Sequence, residues 1–236
     1  MSDAAEPQGA VAGSSGDPGR VGPSRRGVVV LIAGIALIAA LAIAGTAGWL
    51  IRGGPSTPSA GSVDAGFARD MATHHQQAVT MAGYTRDNTD NAQIKILAYD
   101  IETSQQFELG RMWGWLDGWD LPNTDPAHPP MSWMSGHAGH AEVDPATGLM
   151  PGLATPAQMD ELESAKGTKL DTLFLQLMIH HHQGGLPMAQ YAAAHATQEY
   201  VRDAAAKMMT NQSNEIISME HLLRQLGGTE LPPPAS

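Results

Sequence analysis

The sequence predicts an all-α protein: a four-helix bundle made of two repeated αα hairpins, preceded by one N-terminal transmembrane helix. Three observations predict it. The stretch "FARDMATHHQQAVTMAGY" from Phe67 is nearly copied by "FLQLMIHHHQGGLPMAQY" from Phe174. Sliding the chain by 107 positions without a gap continues the match, placing Gln105 on Gln212, Glu108 on Glu215 and Met112 on Met219. The apolar residues of both copies recur with helical period, and two amphipathic hairpins bury their apolar faces most simply against each other.

Residues 1–26 are rich in Gly, Pro, Ser and Ala and read as a disordered cytoplasmic tail. Residues 27–52 hold an uncharged apolar run from Val28 to Ile51, long enough for the roughly 20 residues that span a bilayer. Arg20, Arg25 and Arg26 stand before it, so the positive-inside rule keeps the N-terminus in the cytoplasm and exports the rest. Its length favours an uncleaved anchor in the cell membrane over a cleaved signal peptide; cleavage would give a secreted protein. Residues 53–63 read as a linker, 64–227 as the bundle, and 228–236 as a disordered tail.

The 236 residues include no cysteine, which excludes disulfides, zinc–thiolate sites and thiol catalysis. There are 13 methionines and 10 histidines. Of 13 basic residues four lie at or before Arg52, and of 24 acidic residues three do, leaving nine against 21 and a net charge of −12 beyond the anchor. Such a surface repels nucleic acid.

On a wheel of about 100° per residue, Phe67, Met71, His74, His75, Ala78 and Met81 share a face about 120° wide. Ile94, Leu97, Ile101, Met112, Trp115 and Trp119 gather around Glu108, and Val201, Ala204, Met208 and Met219 around Glu215. Imidazoles and carboxylates on an apolar face need partners, and no Lys or Arg lies on these faces. Each copy therefore offers a ligand set: His74, His75, Met71, Met81, Glu108 and Met112 in the first, and His181, His182, Met178, Met188, Glu215 and Met219 in the second. Thioethers select Cu(I), and imidazole also suits Cu(II) and zinc, so copper fits best, with Cu(I) favoured and Cu(II) accommodated.

The connecting loop, residues 120–154, carries His128, Met131, Met134, His137 and His140 at every third position. An extended segment with three residues per turn would align them as a secondary metal loop. A short helix is expected from Thr155, with Pro156 at its first position, and Pro187 is expected to kink the second histidine-bearing helix.

With "QQFELGRMWGWL" and "QSNEIISMEHLL" downstream, the repeated motifs resemble the DUF305 family, and "LMPGLATPAQMDELESAKG" is similar to that family's linker. The resemblance covers residues 64–227. It implies an exported, ferritin-like four-helix bundle, with copper binding in some members, and places that role on His74, His75, His181, His182, Met71, Met81, Met178 and Met188. Many members have Pro before the second His pair; this chain has His180.

The expectation is a membrane-anchored protein that sequesters copper outside the cytoplasm or passes it to a transfer partner. Two alternatives stand beside it. One is a metal-free helical interaction module whose His pairs bond Glu108 and Glu215. The other is a di-iron-type oxidase, which Glu-x-x-His motifs would support and which this sequence lacks. No nucleophile–base constellation or phosphate-binding glycine loop appears, so no catalytic residue is assigned.

Overall fold

The computed structural model describes residues 25–51, 57–134 and 143–234. The expected N-terminal tail up to residue 24, residues 52–56 of the linker, and Ala235 and Ser236 lie outside the described residues. The chain divides into two units, Met1–Gly54 and Pro55–Ser236.

The first unit holds α1, Arg25–Ile51. Within it Arg25–Gly48 is long and apolar enough to cross a membrane. Its hydroxyl is satisfied internally, Thr46 Oγ1 donating to Ala42 O at 2.9 Å.

The second unit contains α2 (Val63–Asn88), α3 (Ala92–Gly118), a 3₁₀ turn (Ser132–Met134), α4 (Pro156–Ser164), α5 (Thr168–His195) and α6 (Glu199–Gln225). No strand occurs among the described residues. Local chemistry sets the helix starts. Ser62 Oγ accepts from Ala65 N at 3.2 Å, and Asn91 Oδ1 from Gln93 N at 3.0 Å. Thr155 and Gln158 form a reciprocal capping box ahead of Pro156. α5 runs through Pro187 as one 28-residue helix.

α2 packs on α3 and α5 on α6, and the hairpins meet face to face through α2 and α5. The result is a four-helix bundle whose fully buried large side chains include Phe67, Phe174, Ile94, Ile101, Leu116 and Leu170. The buried stripe of α3 is Ile94, Ala98, Ile101, Gln105, Leu109, Met112 and Leu116. Its centre is therefore Gln105, and Glu108 lies about 60° to one side. This corrects the expectation that the carboxylates occupy the middle of the core stripe. Glu108 and Glu215 sit at its edge, 14% and 23% exposed, where one oxygen can reach inward while the group keeps water.

Two buried carboxylates latch the hairpins together. Asp64, at the start of α2, accepts from Thr197 N, Thr197 Oγ1 and Gln198 N at 2.8–2.9 Å, capping the α5–α6 turn. Asp171, its counterpart 107 residues on, accepts from Thr89 Oγ1 at 2.5 Å in the α2–α3 turn. The same residue of each repeat thus holds the other repeat's turn.

Beyond α6 the chain does not fray at once. Gln176 Nε2 donates to Thr229 O at 2.6 Å and His180 Nδ1 to Pro232 O at 3.0 Å, laying the tail along α5.

Replacing Asp64 with Ala strands buried donors of the α5–α6 turn. The expected loss is about 2–4 kcal/mol of stability, on the scale of unmade buried hydrogen bonds to a charged acceptor, read as a lower denaturant midpoint at unchanged slope.

Candidate metal centre

All four repeated histidines, His74, His75, His181 and His182, are fully buried. They fall where α2 crosses α5, because the His pair occupies the inner face of each helix midway along its length. The rings of His74 and His181 face each other across that crossing, 3.8 Å between centroids and tilted by 39°.

Each ring has a partner at Nε2. His74 Nε2 donates to Pro151 O at 3.0 Å, and His181 Nε2 to His74 O at 2.9 Å. A carbonyl oxygen only accepts, so both rings are assigned the Nε2–H tautomer. His75 Nε2 bonds Glu108 Oε2 at 2.8 Å, and His182 Nε2 bonds Glu215 Oε2 at 2.6 Å. The carboxylates are thus the direct partners of the outer imidazoles. At the other side of the ring, Nδ1 of all four histidines is buried with no partner.

Burial pushes the His74 imidazole down to about 3, against a smaller upward pull from its bond to Pro151 O. Burial, reinforced by the neighbouring imidazoles, also holds His181 well below the ordinary histidine range. Both rings are neutral at physiological pH, and a neutral Nδ1 that carries no proton presents a lone pair.

Gln105 and Gln212 add to the unpartnered set: each is buried, and neither its amide nitrogen nor its oxygen has a partner. A Cβ placed on Gly185 would stand 3.0 Å from Gln212 Oε1 and 3.6 Å from His74 Nδ1. Glycine at this position lets α5 approach both the amide and the imidazole closely. An orphaned buried polar atom costs about 1–3 kcal/mol, and native cores hold few. Four unpartnered ring nitrogens and two unpartnered amides in one core therefore mark a place built for further partners, water or a cation.

The methionines close this polar centre at both ends. Met71, Met81, Met112, Met178, Met188 and Met219 are all fully buried. Their grouping differs from the repeat-by-repeat sets the sequence suggests. Met71 and Met112 pack with Met188 of the other repeat, and Met178 and Met219 pack with Met81. The reason is helical rise: ten residues separate Met71 from Met81, about 15 Å along α2, so they reach opposite ends of the centre. Each thioether cluster is therefore shared between the repeats.

In the described part of the connecting loop, Met131 and Met134 lie in a turn rather than in an extended segment. Met131 adopts a left-handed backbone (φ 68°), and the turn that follows buries Met134 and Trp133. Asp70 fixes this turn, accepting from Met131 N and Trp133 Nε1, both at 2.7 Å. Trp133 lies over Gly66, where any side chain would clash. Met131 and Met134 join Met71, Met112, Met188, Met150 and Met208 in one cluster. His128 instead turns to Asp125, Nδ1 to Oδ2 at 2.8 Å. His137 and His140 lie outside the described residues.

Among the described residues no three of His, Asp and Glu converge as a metal-binding group. The two carboxylates bind separate imidazoles, so the ligand arrangement of a di-iron site is not assembled here. Sequence reasoning missed Asp64, Asp171 and Asp70. The identity of Asp64 and Asp171 across the 107-residue repeat was the available signal for the first two.

Duplicated helical hairpins enclosing buried, lone-pair-bearing imidazoles between thioether clusters define a class of four-helix bundle. The family described as a domain of unknown function (DUF305) matches residues 64–223, and the chain belongs to it. A putative secreted DUF305 protein from Streptomyces coelicolor has a similar crystal structure, at 41% identity and a TM-score of 0.66, covering 74% of this chain and 99% of that one. CopM in its Cu(II)-bound form is similar at 26% identity and a TM-score of 0.51, covering 70% of this chain and 97% of its own. CopM in its Cu(I)-bound form, at 23% identity and a TM-score of 0.53, covers 70% and 98% and shares the fold. No curated protein matches the chain.

The depressed imidazoles set a pH dependence. His74 binds no proton in the folded state above about 3 but does so in the unfolded chain below its ordinary value of 6.5. Its contribution to stability is therefore lost as pH falls from 6.5 toward 3. Metal-free protein is expected to lose denaturant midpoint between pH 7 and pH 5, and His74→Leu to show a shallower loss over the same interval.

Proposed function

We propose that this chain is an exported, membrane-anchored copper-binding protein that sequesters or transfers copper outside the cytoplasm. The observation that carries the reading is the set of four buried imidazoles with unpartnered Nδ1 atoms, bounded by fully buried methionine side chains. CopM, a fold relative, has been solved in copper-bound forms, which supports extending copper binding to this chain. The apolar helix Arg25–Gly48 supplies the anchor, or the signal segment if it is cleaved. The secreted DUF305 relative is consistent with a bundle outside the cytoplasm.

His74, His75, His181 and His182 offer Nδ1 as the ligating atom. Glu108 and Glu215 hold the outer rings by accepting Nε2–H, which fixes ring orientation and raises ligand basicity. Since no three His, Asp or Glu donors converge among the described residues, higher coordination draws on Met71, Met112 and Met188 at one end and Met81, Met178 and Met219 at the other. That donor set suits a soft monovalent ion, Cu(I), better than Cu(II). Met131 and Met134 join the first end only, so the two sites differ in affinity.

One observation favours a second reading. The direct His75–Glu108 and His182–Glu215 bonds satisfy those carboxylates without metal, as a metal-free interaction module requires. A ligand specific for the folded state must stabilise it, so melting separates the two readings.

Titration of the full-length chain with Cu(I) under anaerobic conditions, against a chromophoric competitor, is expected to show two classes of site. Saturation at about 100 times the dissociation constant should add about 2.7 kcal/mol of stability per site. Replacing all four histidines with Ala should abolish tight binding, and Glu108→Leu should weaken one class by about 10–100-fold. Melting unchanged by Cu(I) would favour the metal-free module.

A further inference from the structure

The candidate ligands are fully buried, so an ion needs a way in. The cover over His74 can be read from its contacts. Pro151 O receives the His74 Nε2–H at 3.0 Å, and the segment around it lies flush on α5. A Cβ on Gly184 would stand 2.2 Å from Pro151 O, and one on Gly152 (φ 83°) would stand 2.8 Å from the carbonyl oxygens of His180 and His181. The far end of the segment is clamped to α2 by two bonds between Gln77 and Ala154, at 2.7 and 2.9 Å. Residues 150–154 thus bridge α2 and α5 over the imidazoles.

Outside this bridge is a cleft of about 360 Å³. Its lining includes Asp144, Met150, Pro151, His180 and the tail residues from Leu231 to Pro234. Pro151 therefore has two sides: it lines the cleft and its carbonyl oxygen meets His74. Met150 also belongs to both regions. It lines the cleft and packs in the cluster of Met71, Met112 and Met188. His180 is half-buried, and its Nδ1–H donates to Pro232 O, which leaves the lone pair on Nε2. The tail that forms the outer wall is held by that bond and by Gln176.

We propose that this cleft is the loading port for the buried centre, with His180 Nε2 and the Met150 thioether as a surface site for a soft monovalent metal ion. The proposal rests on the copper reading above and adds a site and a route to it. The imidazole and the thioether capture the ion at the cleft, Asp144 contributes negative charge there, and Met150 leads into the thioether cluster. Displacement of Pro151 O from His74 opens the last barrier.

The test is the rate at which the full-length chain, in detergent, takes Cu(I) from its bicinchoninate complex. His180→Asn keeps an N–H near the position of Nδ1 for Pro232 O while removing the Nε2 donor. Met150→Leu removes sulfur at nearly constant volume. Both variants are expected to load more slowly, by about tenfold or more, the scale on which loss of one supporting group acts at a metal site. Melting of the metal-free variants should match wild type, and the final number of bound ions should fall by no more than the single surface ion. Loading of His180→Asn at the wild-type rate would overturn the port, whatever Met150→Leu does. Failure of the wild-type chain to take Cu(I) at any rate would overturn the copper reading and the port with it.

Discussion

A polar group sealed from water must be bonded to something, and the centre of this bundle is arranged by that requirement. Four imidazoles occupy the crossing of α2 and α5, where neither helix offers them solvent. The Nε2 atoms are satisfied at the cost of fixing everything nearby. Pro151 must present its carbonyl to His74, α5 must approach α2 closely enough for His181 to reach His74 O, and Glu108 and Glu215 must sit at the stripe's edge. Glycine stands at 152, 184 and 185 because backbone, or at 185 the Gln212 and His74 side chains, lies close to where a Cβ would stand. With Nε2 of each ring so engaged, the four Nδ1 atoms are left buried with no bond of their own.

The two halves are copies in their chemistry but not in their surroundings. Asp70 is the point where the symmetry breaks, since its counterpart is Leu177. Its buried carboxylate, pushed above the usual range by desolvation, collects the backbone of Met131 and the indole of Trp133. That docks the connecting loop onto one end of the bundle and brings additional thioethers there. The opposite end is closed by aliphatic residues such as Ile179, Leu170 and Leu175 around Met81, Met178 and Met219. The duplicated hairpins thus stand in two unequal environments through one acidic side chain.

Elsewhere the duplication is used to hold the fold together. Asp64 and Asp171 each reach into the turn of the opposite hairpin, so neither hairpin completes its own end contacts alone. Such reciprocal bonds tie formation of the His74–His181 crossing to the docking of both repeats. The C-terminal tail adds a looser tie over α5, and it covers the side of the bundle where Pro151 separates solvent from His74.

The sequence alone determined the helices, their duplication, the apolar N-terminal segment and the inward direction of the histidines. These follow from local periodicity, and a helix's face is set by an angle of about 100° per residue regardless of what it packs against. Thr155 with Pro156 was legible as a helix start for the same local reason. What local rules do not contain is which side chains from distant segments meet. Only the tertiary structure decided that Met81 joins Met178 and Met219, that Glu108 lies beside the core rather than within it, and that Pro151 takes the His74 proton donor. Those outcomes depend on the crossing of α2 with α5 and on the path of the loop between the repeats. Both are set by long-range packing that no window of sequence encodes.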